Sequence, residues 1–240
     1  MIYFYLAVIV LVGLGGLFTF ACSVPSASFP VPTIIRGGRQ SRCIALTFDD
    51  GPAPPYSEAI LELLRERQIK ATFFLCGKNV ERYPEVARRI RQEGHAIGNH
   101  TYSHPFLYFH SGGFMAREID RTQQIIEEVT GIRPRFFRPP YGVRWPGLHG
   151  ILAERGMRLV NWSDTGYDWK FDTEGIIRAA LKHLGPGSII LLHDGLETRP
   201  PRPVDQSRTV RALPAIFDYA QAAELKLVTL DELLGMKPQP

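Results

Sequence analysis

From residue 42 onward, short apolar runs rich in branched and aromatic residues alternate with longer stretches in which apolar residues recur every three or four positions. The runs at 43–48, 71–75, 95–98, 135–137, 158–161, 188–192 and 226–228 are continuous rather than alternating, which predicts strands buried on both faces. Between them the 3.6-residue period predicts helices over 57–67, with Ser57 as N-cap, and over 84–92, 114–129, 146–154, 174–183 and 209–222. Strand-then-helix repetition of this kind predicts an α/β fold, a parallel sheet covered by helices, either open and doubly wound or closed as a barrel. In both, function gathers where strands end. The segments "DDG", "NHTYSH", "RPPYG", "DTGYDW" and "HDG" follow the first, third, fourth, fifth and sixth strands, so five polar clusters share one rim.

The N-terminus has a different pattern. Residues 2–22 carry no charge, and an apolar helix of that length predicts a membrane anchor over 1–23 and a single-pass protein whose membrane partner is reached through this helix. A secretory signal is the alternative: Ala21-Cys22-Ser23 offers small residues for cleavage, although no basic segment precedes the apolar run. Arg36, Arg39 and Arg42 follow the run, so a positive-inside count places the domain in the cytoplasm. Residues 24–41, beginning "VPSASFPVPT", read as a Ser/Pro-rich linker to a catalytic domain over 42–240.

Composition narrows the classes. At 240 residues with 45% hydrophobic content, the chain suits one large domain with an ordinary core. Lys and Arg number 28 against 24 Asp and Glu, and a net charge of +4 spread along the chain leaves no nucleic-acid footprint. The three cysteines, Cys22, Cys43 and Cys76, have no C-x-x-C spacing, which excludes zinc ribbons and thioredoxin-like chemistry. A Cys43–Cys76 disulfide requires that their strands be neighbours with suitable geometry.

Two adjacent carboxylates at the end of an apolar strand, Asp49 and Asp50, repel one another and call for a nearby cation. His100 and His104, four residues apart, can turn two imidazoles to one side. With Asp50 they make a three-ligand set of the type found in hydrolytic zinc centres. Adjacent side chains on a strand face opposite ways, so Asp50 is assigned to the metal and Asp49 to the general base.

Taken together, "TFDDG" at 47–51, "HTYSH" at 100–104, "RPPY" at 138–141, "DTGYDW" at 164–169 and "LLH" at 191–193 resemble the polysaccharide deacetylase family, the NodB-homology domain of carbohydrate esterase family 4. The resemblance runs from Arg42 to the end of the domain. It implies a distorted (β/α)7 barrel of seven strands and a hydrolase that removes N-acetyl groups from amino sugars, of N-acetylglucosamine type, in a cell-envelope glycan. It further implies Asp49 as base and Asp50, His100 and His104 as ligands of a divalent metal, Zn2+ before Co2+ or Ni2+. Arg138 would hold Asp49, and Tyr141 would offer its backbone N–H to the oxyanion from the turn made by Pro139 and Pro140. His193 would be the acid, steadied by Asp168, and Leu191 with Trp169 would pocket the acetyl methyl. Family substrates are mostly external, which places the domain outside the cell and conflicts with the charge count.

One departure stands out, since the fourth segment often reads D-x-x-D-W, whereas three residues separate Asp164 from Asp168 here. Asp168-Trp169 is kept, and Asp164 reads as a loop residue. His95 and His110 match no catalytic position, and His95 reads as a strand-end histidine making a structural hydrogen bond. Phe106, Tyr108, Phe109 and Phe114 read as packing beneath a loop, with a sugar-stacking lid as the alternative. The arginines in "ETRPPRPVDQSRTVR" read as a solvated loop or as a basic rim for an anionic glycan. Three rivals stand beside the main reading: a deformylase or deacetylase of a lipid-linked sugar, a non-catalytic glycan-binding relative, and a metal phosphoesterase, which lacks a second ligand set.

Overall fold

The computed structural model describes residues 1–24, 31–108, 110–196 and 205–239, without the side chains of residues 2–4, 6–8 and 146. Among the described residues, eight parallel strands form one sheet: β1 (Cys43–Asp49), β2 (Thr72–Leu75), β3 (Ala96–Asn99), β4 (Phe136–Phe137), β5 (Arg158–Leu159), β6 (Asp164–Thr165), β7 (Ile189–His193) and β8 (Lys226–Val228). Their order is β5-β4-β3-β2-β1-β7-β6, with β8 pairing the start of β1. β5 and β6 lie at opposite edges yet are consecutive in the chain. Five extended steps of about 3.4 Å each join them, so the edges lie within about 17 Å and the sheet must curl. This curled half-barrel agrees with the expected (β/α) barrel. The eighth strand is β6, two polar residues with no apolar signal in the sequence.

β1 explains both layers. Ile44, Leu46 and Phe48 join the cluster beneath the helices, while Ala45 packs with Phe74, Phe136, Val160, Ile189 and Val228 inside the curl. The two-residue period then puts Thr47 and Asp49 inside as well. The helix layer comprises α2 (Tyr56–Glu66), α3 (Gly77–Arg82), α4 (Pro84–Gln92), α5 (Gly112–Thr130), α6 (Pro146–Glu154), α7 (Thr173–Leu181), α8 (Ser207–Ala222) and α9 (Leu230–Leu233). Ser57 lies within α2, whose N-cap is Pro55. Its hydroxyl donates to Asp194 instead of capping the helix.

The N-terminal segment corrects an expectation. α1 (Ile2–Ser23) is helical, but among the described residues no helix is long and apolar enough to cross a membrane. The expected transmembrane helix, single-pass location and membrane partner are therefore not supported. The last turn also sits on protein: Cys22 is fully buried, and the Arg144 backbone N–H donates to its carbonyl at 2.9 Å. The Arg144 guanidinium donates to the carbonyls of Ala21 and Val24. Residues 25–30 of the expected linker lie outside the described residues. Val31 is buried, and Ile34 and Arg36 bridge to Val160 and Ser188.

All three cysteines are free. β1 and β2 are neighbours, but their register pairs Asp49 with Phe74, which puts Cys43 and Cys76 at opposite ends of the ladder, about 26 Å apart at 3.3 Å per residue. His95 accepts a hydrogen bond from the Ala71 N–H at 3.1 Å, and burial, aided by Lys70 and Arg89, pushes its pKa down to about 3.

Leu46 is fully buried at the centre of the sheet. Leu46→Ala should lower the unfolding free energy by about 2–5 kcal/mol, read as a lower urea midpoint at unchanged slope.

Candidate metal centre and catalytic cavity

The sheet's C-terminal rim surrounds a cavity of about 630 Å³ walled by Asp49, Asp50, His100, His104, Tyr141, Trp162, Ser163, Thr165, Tyr167, Trp169, Leu191, His193 and Leu196. Asp49 reaches it as the last inward residue of β1. Asp50 reaches it by another route, because the strand has ended and its φ of 73° turns the chain. Strand alternation therefore does not separate the two carboxylates, and both face the same space.

His100 and His104 come from the loop after β3. Thr101 (φ 67°) and His104 (φ 52°) are both left-handed, and the Glu118 carboxylate on α5 accepts from the N–H groups of Tyr102 and Ser103 at 3.0 and 2.8 Å. The His100 Nδ1–H donates to the Arg138 carbonyl at 2.8 Å, so Nε2 faces the cavity. His100 Nε2 and His104 Nε2 lie 3.3 and 3.2 Å from Asp50 Oδ1. Ligand atoms of the three residues fall within 4.8 Å of one another.

Arg138 is fully buried. It donates to Asp49 Oδ1 at 2.6 Å, Thr47 Oγ1 at 2.8 Å, and the carbonyls of Val160 at 3.2 Å and Asn161 at 3.0 Å. Its guanidinium lies 4.1 Å over the Phe74 ring. Pro139 is buried in the following turn and is not on the cavity wall. Pro140–Gly142 form a 3-10 turn in which Tyr141 takes φ 61°, its ring against His104 at 4.8 Å.

On the other side, His193 Nδ1 bonds Asp168 Oδ1 at 2.8 Å. Asp168 is fully buried and also accepts from the His193 backbone N–H and the Thr209 hydroxyl, at 2.8 and 2.9 Å. Burial alone would lower the imidazole's pKa. Asp168, with Asp50 and Asp49 beyond it, outweighs burial and raises it to about 9. Leu191 is buried on the wall, and Trp169, 45% exposed, meets His193 edge-on at 5.2 Å. Asp164 belongs elsewhere, paired with Arg36 at 3.5 Å and accepting from Ser163.

A family model described as polysaccharide deacetylase matches residues 36–160, more than half of the chain. The chain belongs to the polysaccharide deacetylase family. It is 41% identical over 151 residues to a Bacillus cereus peptidoglycan-N-acetylglucosamine deacetylase, covering 62% of this chain and 55% of the relative. It is likewise 41% identical over 154 residues to an Azorhizobium caulinodans chitooligosaccharide deacetylase, covering 63% of this chain and 73% of that one. The chain thus spans little more than half of the first relative's length. The crystal structure of the Bc1960 peptidoglycan N-acetylglucosamine deacetylase, in complex with a naphthyl N-hydroxybenzamide, superimposes with a TM-score of 0.80 at 33% identity. The match covers 87% of this chain and 95% of the other.

Within this deacetylase fold the cluster fits a divalent cation. Asp50 Oδ1 is buried without a hydrogen-bond partner, although two imidazole nitrogens flank it. Burial would raise the pKa of Asp50, yet the imidazoles of His104, His100 and His193 hold its carboxyl well below the usual range. Burial likewise disfavours a charged His100, but Asp49 and Asp50 overcome it and raise its pKa, so the site attracts positive charge. Burial pulls His104 down to about 4, leaving a neutral imidazole as a ligand requires. Two nitrogens and one carboxylate oxygen suit Zn2+, Co2+ or Ni2+.

Sequence reasoning missed the supports: Thr47, Glu118, Thr209 and Asp194. The Asp194 carboxylate is fully buried under Gly51, accepts from Ser57 at 2.5 Å, and is pushed by burial up to about 7. A Cβ on residue 51 would lie 2.0 Å from Asp194 Oδ2, so the glycine of "DDG" is required by this approach. Only Asp194 carried a signal, as the carboxylate of the "HDG" cluster that ends an apolar run. Phe109, Arg199 and Arg202 lie outside the described residues.

His193 supplies a pH test. Its folded pKa, about 9, exceeds the unfolded value of about 6.5. Its contribution is therefore complete below about pH 6.5 and is lost as pH rises through 9. For metal-free protein this predicts a decline on the order of 3 kcal/mol in unfolding free energy across that window. His193→Gln should flatten it, as followed by urea titrations at successive pH values.

Proposed function

We propose that this protein is a divalent-metal-dependent deacetylase that removes N-acetyl groups from amino sugars, of N-acetylglucosamine type, in a cell-envelope glycan. The observation that carries this is the meeting of Asp50, His100 and His104 around one point, beside an Asp49 held by buried Arg138 and facing the protonated His193 across one cavity. The names of the relatives, one for peptidoglycan and one for chitooligosaccharides, support the substrate class.

When bound by Asp50, His100 and His104, the ion supplies Lewis acidity for amide hydrolysis. Asp49 takes the proton from the attacking water, its carboxylate oriented by Arg138. The Tyr141 backbone N–H donates to the acetyl oxygen as negative charge develops there. His193 donates its Nε2 proton to the departing sugar nitrogen, and Asp168 on Nδ1 stabilises the imidazolium until then. Leu191 and Trp169 hold the acetyl methyl. The products are a free amine on the sugar and acetate. A non-catalytic relative is disfavoured, because every proton-transfer and ligand position carries a competent side chain.

Acetate release from N-acetylglucosamine oligomers tests these roles. Asp49→Asn should lower kcat by about 10²–10⁴-fold while retaining bound zinc. His104→Ala should lose both zinc and activity. Undiminished turnover in either variant would remove the assigned roles. Chelation should abolish acetate release, with Zn2+, Co2+ or Ni2+ restoring it, and activity that survives full metal removal would exclude the metal.

A further inference from the structure

Among the described residues beyond α1, the large hydrophobic side chains that stay exposed are Phe106, Tyr141, Tyr167, Trp169 and Tyr219. Tyr141, Tyr167 and Trp169 line the catalytic cavity, and Phe106 packs against Tyr141 at 5.7 Å. Four of the five therefore crowd one mouth, where scattered exposure would need no explanation but a cluster does. They form two pairs. Phe106 and Tyr141 follow β3 and β4, whereas Tyr167 and Trp169 follow β6, at the far edge in the sheet order.

The second pair is built around the extra residue of "DTGYDW". Gly166 passes so close to the barrel wall that a Cβ there would meet Leu192 at 2.5 Å and Ile176 at 3.0 Å. The chain then turns outward through Tyr167 in the left-handed region, φ 49°, a costly conformation for a bulky aromatic. Hydrogen bonds hold the turn: the Tyr167 N–H donates to Thr165 Oγ1 at 3.2 Å, and its carbonyl accepts from Lys170 and Phe171 at 2.8 and 3.0 Å. The ring is wedged edge-on between Trp169 at 5.3 Å and Phe171 at 5.9 Å, yet remains 44% exposed on the cavity side. A rigid aromatic held at a mouth loses little freedom on binding. Its flat apolar face complements the C–H face of a pyranose ring.

We infer that Tyr167 is a specificity-determining residue that stacks on the sugar neighbouring the one being deacetylated, so that the protein prefers a glycan chain to a single acetylated unit. This rests on the deacetylase reading above and adds a subsite to it. In that reading Trp169 and His193 stand at the reacting position, and Tyr167, edge-on to Trp169 at 5.3 Å, continues that wall by one ring. Phe106 and Tyr141 supply a second aromatic surface at the mouth, from the segments after β3 and β4.

The test compares kcat/KM for acetate release from a tetramer of N-acetylglucosamine with that for a small aryl acetate ester carrying no sugar, both on the zinc-loaded full chain. Tyr167→Ala should lower the tetramer-to-ester ratio about tenfold, mainly through the tetramer's KM, the loss expected for one aromatic contact. Tyr167→Leu keeps apolar bulk near the Trp169 and Phe171 rings and should lower the ratio similarly. Tyr167→Phe keeps the ring and should hold it within twofold of the unsubstituted protein. A wild-type ratio in the alanine and leucine variants, including one produced by equal losses on both substrates, would make Tyr167 a packing residue only and overturn the inference. If the unsubstituted protein releases no acetate from the tetramer, the deacetylase reading and this inference fall together. If it does and the ratio ignores Tyr167, the inference alone fails.

Discussion

The ion pair between Asp49 and Arg138 is the constraint on which the site depends. Both groups are buried inside the curl of the sheet, the guanidinium completely, and their contact at 2.6 Å joins the end of β1 to the segment after β4. Removing two charges from water is so costly that the pair persists only with further hydrogen bonds, which Thr47, Val160 and Asn161 provide. Those partners lie on β1 and just beyond β5, while Arg138 itself follows β4, so satisfying one arginine aligns three strand ends. The Arg138 carbonyl also accepts from His100 Nδ1, so the residue that orients the base orients a metal ligand too.

Backbone strain concentrates around the same cavity. Seven described residues other than glycine have positive φ: Asp50, Gln68, Thr101, His104, Tyr141, Tyr167 and Glu224. Gln68 and Glu224 follow the ends of helices, and the other five build the rim. A left-handed residue redirects the chain within one position. This lets Asp50 share a space with Asp49 and lets His100 and His104 converge, although neither pair lies on a regular element that would align it. The Glu118 carboxylate under the histidine loop and the Asp194–Ser57 contact under the "DDG" turn fix these bends.

The layers and their order were largely legible before the structure. Continuous apolar runs located seven strands, and the 3.6-residue period located the helices α2, α4, α5, α6, α7 and α8. β6 escaped because Asp164 and Thr165 carry no apolar pattern, and they pair only because β7 lies alongside. The N-terminal run was legible as a helix but misleading about its surroundings. An uncharged sequence resembles a bilayer span, whereas Arg144 and the burial of Cys22 seat its last turn on the domain. Phe106 divided from its neighbours in the same way: Tyr108 is buried, Phe114 joins the α5–α6 cluster, and Phe106 stays at the surface.

By itself the sequence determined which side chains with metal-binding or proton-transfer chemistry exist and that they sit after strands of a parallel sheet. Strand periodicity and motif order are local properties, and local properties survive in one dimension. Which of those side chains meet, and what holds them, was decided only by the tertiary structure. Asp49 and Asp50 are separated by the strand rule and reunited by one backbone angle. Thr47, Glu118, Thr209 and Asp194 acquire roles from neighbours 15 to 137 residues away along the chain. Partnership across such distances depends on how far the sheet curls, a global property that no short stretch of residues carries.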